Sequence, residues 1–340
     1  MKNPFDIQHI YKPNWVLLDQ SENPFGFAFN RYPNLKHEQA LYKSYIKYIN
    51  TDLRADTGLK IENMLFTRGA ADAIDLILRT FCLKNKSKVV ATNPTFFPLK
   101  HWSRVYGIPL IKTPLNGTHY NQLDIELILE SKADVCFVIN PNNPTSTTLE
   151  EGYLQRLIDS FNGLIVVDEA YVDFCHDETV VSKLKNNPNI MVLRTMSKAW
   201  GSAGIRGGFI IGSEKNILSI KGIQPPFMCD SYVCEHLTNL LNHRYEEFCL
   251  FRSLIIESRN RFMDFLSSNT TLTVLPSQTN FIVIQTPNSG EIEKVLYKND
   301  FIVKRTKFRE SECIRISIGT PIEMDRLTSV FKSEAICAVI

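Results

Sequence analysis

Ile190-Met191-Val192-Leu193-Arg194-Thr195-Met196-Ser197-Lys198-Ala199-Trp200-Gly201-Ser202-Ala203-Gly204-Ile205-Arg206-Gly207-Gly208 is the stretch from which the rest of the chain can be read. Ile190 to Leu193 is an apolar run that predicts a buried strand. Hydroxyls then flank a single lysine, small residues follow, and Arg206 stands eight positions after Lys198. A lysine between hydroxyls and glycines suits a loop tip beyond the strand, where its amine can reach a carbonyl. Lysine forms Schiff bases, and pyridoxal phosphate is the cofactor that uses one. Thr195, Ser197 and Arg206 would supply donors for a doubly charged phosphate, the arginine through its planar fork. The same residues also suit a polar turn between two strands with Lys198 solvated.

Working outward, other apolar runs end in chemistry. Gly163-Leu164-Ile165-Val166-Val167-Asp168-Glu169-Ala170-Tyr171 puts a carboxylate at the C-terminal end of a predicted strand, where open α/β sheets bind ligands. A carboxylate beside a pyridine nitrogen keeps that nitrogen protonated by charge pairing, and the protonated ring is the electron sink of pyridoxal phosphate chemistry. Tyr171, three residues on, could donate to the ring's hydroxyl oxygen. Apolar strands ending in Asp-Glu also hold magnesium in nucleotide-binding proteins, but those need a glycine–lysine phosphate loop that this chain lacks. Asp134 to Ile139 is another buried run. It ends in Asn140-Pro141-Asn142-Asn143-Pro144-Thr145-Ser146, where two X-Pro steps force an extended, sharply turned backbone. Asn63 to Thr67 is strand-like, and Arg68-Gly69-Ala70-Ala71-Asp72 leads into a helical pattern from Ala73 to Phe81. A small-residue turn that opens a helix leaves N–H groups free for a phosphate. Val89 to Thr92 reads as a short strand followed by Asn93-Pro94-Thr95-Phe96-Phe97-Pro98. An aromatic just past a strand end can lie flat against a heteroaromatic ring, or both phenylalanines can belong to the core. Phe209 to Gly212 is a further strand.

The flanking thirds have a different texture. Trp15 to Leu18 is a short apolar run broken by turn chemistry from Asp19 to Gly26, and Glu38 to Asn50 reads as an amphipathic helix. Tyr232 to Leu266 reads as helical for most of its length, long enough to link two domains. Strands are predicted at Thr279–Ile284, Phe301–Lys304 and Cys313–Gly319, with a helix at Ile292–Lys298. Arg315 falls in an apolar context, on the same face as Cys313 and Ser317. A buried arginine needs an anion, either a protein carboxylate or a substrate α-carboxylate held by two parallel hydrogen bonds.

Composition narrows the classes. The 340 residues, 44% hydrophobic and 22% charged, are those of a globular protein of two ordinary domains. A net charge of +2 argues for neither nucleic acid nor an acidic membrane surface. No apolar run approaches the ~18 residues that span a bilayer. Met1 to Asn14 is polar and mixed, unlike a secretory signal. The eight cysteines form no CxxC pair, which predicts reduced thiols in a cytoplasmic protein and no metal centre.

Taken in order, these segments resemble the aspartate-aminotransferase-like pyridoxal phosphate enzymes, the fold type I class I/II aminotransferases, and their histidinol-phosphate aminotransferase branch in particular. The resemblance covers roughly residues 15 to 332. It implies an α/β fold: a large cofactor-binding domain (25–230) with a mostly parallel central sheet between helices, and a smaller α+β domain from the two chain ends (1–24 and 231–340) with a linking helix. It implies that Lys198 carries the cofactor, that Asp168 meets its ring nitrogen, and that Tyr171 and Asn143 meet its ring hydroxyl oxygen. Phe96 would stack on the ring, with Gly69, Ala70, Ala71, Thr195, Ser197 and Arg206 around the phosphate. Arg315 would hold the substrate carboxylate, with Asn143 and Asn23 beside the substrate. Glu22-Asn23-Pro24-Phe25-Gly26 is similar to a loop that lies over the active site. Arg31-Tyr32-Pro33 is similar to a segment whose tyrosine, here Tyr32, reaches the cofactor phosphate of the neighbouring subunit in a homodimer.

The implied activity moves an amino group between an amino acid or amino-acid-like phosphate ester, such as histidinol phosphate or an aromatic amino acid, and a 2-oxo acid such as 2-oxoglutarate. Decarboxylases of phosphorylated threonine are similar in sequence, and a racemase or lyase is a further alternative. Three positions depart from the branch. Ser146 stands where glycine is usual, Gln224 where arginine precedes the paired prolines, and Met228 where asparagine follows the aromatic.

Overall fold

Nearly continuous apolar runs become strands buried on both faces. The computed structural model describes residues 15–83, 87–175, 178–333 and 336; the polar stretch Met1 to Asn14 and Cys337 lie outside them. Eight strands, β1 (Met64–Thr67), β2 (Val89–Asn93), β3 (Leu110–Asn116), β4 (Gln122–Leu123), β5 (Val135–Ile139), β6 (Leu164–Asp168), β7 (Ile190–Thr195) and β8 (Gly208–Gly212), form one sheet in the order β1-β8-β7-β6-β5-β2-β3-β4. The run β7-β6-β5-β2-β3 is parallel, while β8 is antiparallel to β7 and β1, and β4 to β3. Side chains alternate between two cores. Val90, Cys136, Val138, Ile165, Val167 and Val192 pack on one face, and Val89, Ala91, Phe137, Val166, Met191 and Leu193 on the other. The parallel run points the C-terminal ends of β2, β5, β6 and β7 toward one edge, so the residues that follow each strand meet there.

Four antiparallel strands make a second sheet: β9 (Thr273–Val274), β10 (Phe281–Gln285), β11 (Lys304–Phe308) and β12 (Ser311–Ser317), ordered β11-β12-β10-β9. Ile282, Ile284, Ile314 and Ile316 pack against Phe262, Leu296 and Phe331 from the flanking helices. The alternate residues Phe281, Val283 and Cys313 instead join the core of the large sheet. Arg315 is in register with Val283, so it too lies on the face turned toward the large sheet.

Two expectations shift. The stretch Tyr232 to Leu266 is two helices, Ser231–His243 and Tyr245–Asn269, because the backbone leaves the helical region at Arg244 (φ −123°, ψ 21°). Strand β11 begins where Phe301–Lys304 was expected to end. Ile302 is exposed, and the polar Lys304–Lys307 pairs with β12 as an edge strand. Among the described residues no helix is long and apolar enough to cross a membrane, and no group of three or more His, Cys, Asp or Glu could hold a metal ion.

Candidate active site

Lys198 sits in a closed loop between β7 and β8. Met196 N–H donates to Gly207 O (3.0 Å), Ser202 N–H to Met196 O (3.0 Å) and Gly201 N–H to Lys198 O (3.0 Å). These bonds hold the lysine at a tight tip whose side chain reaches back over β6, with Nζ 5.4 Å from the centroid of the Tyr171 ring. Burial lowers the pKa of its ammonium, and the Arg315 and Arg206 guanidinium charges add to this while Asp168 opposes them. The uncharged, nucleophilic form of the amine is thereby favoured more than in a solvent-exposed lysine.

Asp168 ends β6 and is almost fully buried. Burial pushes its carboxyl up to about 6, against the Ala170 N–H (3.0 Å) and the Lys198 charge, both of which favour the carboxylate. Tyr171 is pushed up to about 12, first by burial, with Arg315 pulling the other way. Asn143 Nδ2 donates to Tyr171 Oη at 3.4 Å, and Arg315 Nη1 donates to Asn143 Oδ1 at 2.8 Å. Behind Asp168, a buried ion-pair cluster locks the strand ends. Arg194, adjacent to Thr195, reaches Glu169 (2.8 Å) and Asp173 (3.0 Å), and Tyr48 Oη donates to Asp173 (2.7 Å).

Gly69 has φ +88° and caps the helix Ala70–Ile77, leaving the first N–H groups without intrahelical partners. A Cβ at Gly69 would come within 2.9 Å of Arg206 Nη2, so the arginine in its present position would have to shift for a side chain here. Arg206 in turn donates to Arg68 O (3.0 Å) and Ala203 O (3.0 Å), and Thr195 Oγ1 donates to Ser197 Oγ (3.0 Å). One cleft is lined by Ala70, Ala71, Phe96, Asn143, Asp168, Tyr171, Thr195, Ser197, Lys198 and Arg206.

This donor set fits pyridoxal phosphate. Free N–H groups, hydroxyls and a guanidinium gather at one end, a buried carboxylate stands in the middle, and an amine faces it. Two expected residues lie elsewhere. Tyr32 is half exposed and stacks on Phe227 (4.4 Å between centroids, 20° between planes). Asn23 is exposed, its Oδ1 accepting from Phe25 N–H (2.9 Å). Lys304 and Arg305 are two other cations near β12 that could hold a carboxylate in place of Arg315. Lys304 stands directly opposite it in the β11–β12 register, and such pairs share a face of the sheet. Arg305 points away, toward Ser289 (3.2 Å) and Glu312 (3.3 Å).

With this geometry in hand, comparison with known proteins is specific. The family described as "Aminotransferase class I and II" matches residues 16–331. Histidinol-phosphate aminotransferase of Parabacteroides distasonis is 31% identical over 335 residues, covering 94% of this chain and 90% of the relative. Histidinol-phosphate aminotransferase of Sinorhizobium meliloti, solved in complex with pyridoxal-5'-phosphate, shares the fold with a TM-score of 0.77 at 20% identity, covering 92% and 84% of the two chains. L-threonine-O-3-phosphate decarboxylase of Porphyromonas gingivalis does so with a TM-score of 0.73 at 20% identity, covering 90% and 93%. The chain therefore belongs to the class I and II aminotransferase family and is a pyridoxal-phosphate-dependent aminotransferase.

Proposed function

We propose that the protein transfers the amino group of an α-amino acid or amino-acid-like phosphate ester, of the histidinol phosphate or aromatic type, to a 2-oxo acid such as 2-oxoglutarate. The observation that carries this reading is Arg315. Its guanidinium lies over the Phe281 ring (5.1 Å), donates to Asn143, and has no carboxylate partner among the described residues. An arginine so placed suits a planar substrate carboxylate. Lys304 adds a second positive charge on that face, and like charges directly opposite are unfavourable until an anion lies between them.

Pyridoxal phosphate, when bound, supplies the carbonyl and the electron sink. In this reading Gly69, Ala70, Ala71, Thr195, Ser197 and Arg206 hold its phosphate, Phe96 covers the ring and Asn143 and Tyr171 donate to its hydroxyl oxygen. The Asp168 carboxylate pairs with the protonated ring nitrogen. Lys198 Nζ would take a proton from the substrate's α-carbon and later give it back, a role suited to an amine whose ammonium pKa is lowered by burial.

The same proposal takes in assembly. Phe25 and Phe27 are 87% and 96% exposed, and Tyr32 lies on the same stretch. Exposed aromatics in one segment suit burial against a second copy, with Tyr32 reaching the partner's cofactor phosphate and Asn23 lying over a substrate. The division into 25–230 against 1–24 with 231–340 belongs to this proposal.

The test is incubation with 2-oxoglutarate and a panel of donors: histidinol phosphate, aromatic amino acids and phosphothreonine. Glutamate formed from one of the first two supports the reading. Carbon dioxide released from phosphothreonine, with 2-oxoglutarate untouched, would establish the decarboxylase alternative instead.

A further inference from the structure

The turn after Asn143 joins the two sheets at a residue whose backbone suits glycine. Ser146 is fully buried and has φ +69°, a left-handed conformation that a serine adopts only at a steric cost. Every polar group it has is engaged. Its N–H donates to Asn142 O (2.8 Å), and its carbonyl accepts from Gln278 N–H (2.8 Å). Its hydroxyl proton is shared between the neighbouring Thr145 carbonyl and Pro276 O at 3.1 Å.

Pro276 and Gln278 lead into β10, and β10 pairs with β12 through Val283 and Arg315. Arg315 then donates to Asn143, three residues before Ser146. The contacts thus close a ring: Asn143, Ser146, Pro276 to Gln278, β10, Arg315 and back to Asn143. Glycine would suit the φ angle but has no hydroxyl to reach Pro276.

We propose that Ser146 is a positioning residue. Its hydroxyl clasps the cofactor loop to the strand that backs Arg315, and so sets the distance between Asn143 and Arg315. The claim rests on the reading of Arg315 as the carboxylate anchor. Two other ties do not use the hydroxyl and remain when the clasp is removed: Gln278 N–H to Ser146 O, and Gln285 Nε2 donating to Tyr120 Oη at 3.0 Å.

Two variants separate the clasp from simple tolerance of the left-handed turn. Ser146→Ala keeps the backbone cost and removes the hydroxyl, whereas Ser146→Gly relieves the backbone and also removes the hydroxyl. In cofactor-loaded protein, both should speed amide exchange across residues 277–281 by roughly fivefold, the factor carried by one ordinary hydrogen bond. Both should also raise KM for the amino-acid substrate by a similar factor, while the visible absorbance of the bound cofactor stays unchanged. If Ser146→Gly matches the wild type in exchange and in KM, the serine is merely tolerated and the proposal falls. It falls equally if only one of the two readouts moves. If the wild type turns over no amino acid, the proposed activity fails by itself, and exchange still decides whether the clasp exists.

Discussion

The edge of the large sheet and the segment from Trp15 to Pro33 are built in opposite ways. At the sheet edge, Asp168, Asn143, Tyr171 and Thr195 are buried, and each stands at or just beyond the end of a strand whose side chains are locked in a core. In the segment, Val16, Leu18, Phe25 and Phe27 face solvent, and the internal ties are polar ones such as Arg31 to Glu22 (2.7 Å), Tyr32 N–H to Glu22 (2.6 Å), Phe25 N–H to Asn23 (2.9 Å) and Asn30 to Asn23 O (3.0 Å). One chain is enough to make the first region. The second exposes apolar side chains that the proposed pairing of two copies would cover. Cofactor chemistry should therefore respond to substitutions within a chain, and completion of the site to pairing of chains.

The largest effect is expected at Lys198. Lys198→Ala should lose the adduct that borohydride fixes in the wild type, and turnover should fall by ~10² to 10⁴ or more with the proton carrier gone. The same reducible adduct persisting in the variant would place the cofactor elsewhere. Asp168→Asn follows, keeping size and losing charge. Cofactor should still bind while turnover falls by about 10²-fold or more as the ring nitrogen loses its partner. Near-normal turnover would remove Asp168 from that role.

The segment is tested by mixing. Tyr32→Phe and Lys198→Ala proteins, each impaired alone, should form hybrid dimers with one unmutated site. Random exchange of equal amounts would restore up to about a quarter of the wild-type sites. Hybrids that form without recovered activity would show that each site is built from one chain.

A smaller effect concerns stability without cofactor. Burial pushes the folded Asp168 carboxyl up to about 6 from its ordinary 3.8, so the fold disfavours its charged form. That cost is absent below about pH 4, grows as the pH rises through 6 and is complete above it, with an upper size of ~3 kcal/mol. Cofactor-free Asp168→Asn should melt above cofactor-free wild type at pH 8 and level with it at pH 4. Equal melting at both would mean that the carboxylate is not disfavoured in the fold.

The sheet-edge region could be read in the sequence because its chemistry is local. Lys198, Asp168 and Asn143 each follow an apolar run by a residue or a few, so strand and place in the cleft are read together. Arg315 was legible through the alternation of Cys313 to Ser317. What could not be read depends on pairings between distant segments. Lys304 faces Arg315 only because of the register across the turn at Arg309 (φ +51°), and the apolar Phe301–Val303 drew the expected strand too early. The partners of Ser146 lie 130 residues away at Pro276, beyond the reach of any local pattern. The break at Arg244 was hidden because Leu241 and Phe248, on either side of it, are both buried in the same core.

The most direct test of the central claim, that the cleft and the small sheet form one amino-acid site, is the binding preference for amino acids over their decarboxylated amines. It is read from the absorbance change of the bound cofactor. The wild type should prefer the acids. Arg315→Lys keeps the charge but loses the fork, and it should lose that preference by roughly 30-fold to several-thousand-fold while melting normally with its cofactor in place. A preference that survives the substitution, or a variant that melts low while KM is little altered, would make Arg315 a structural residue and separate the small sheet from the chemistry.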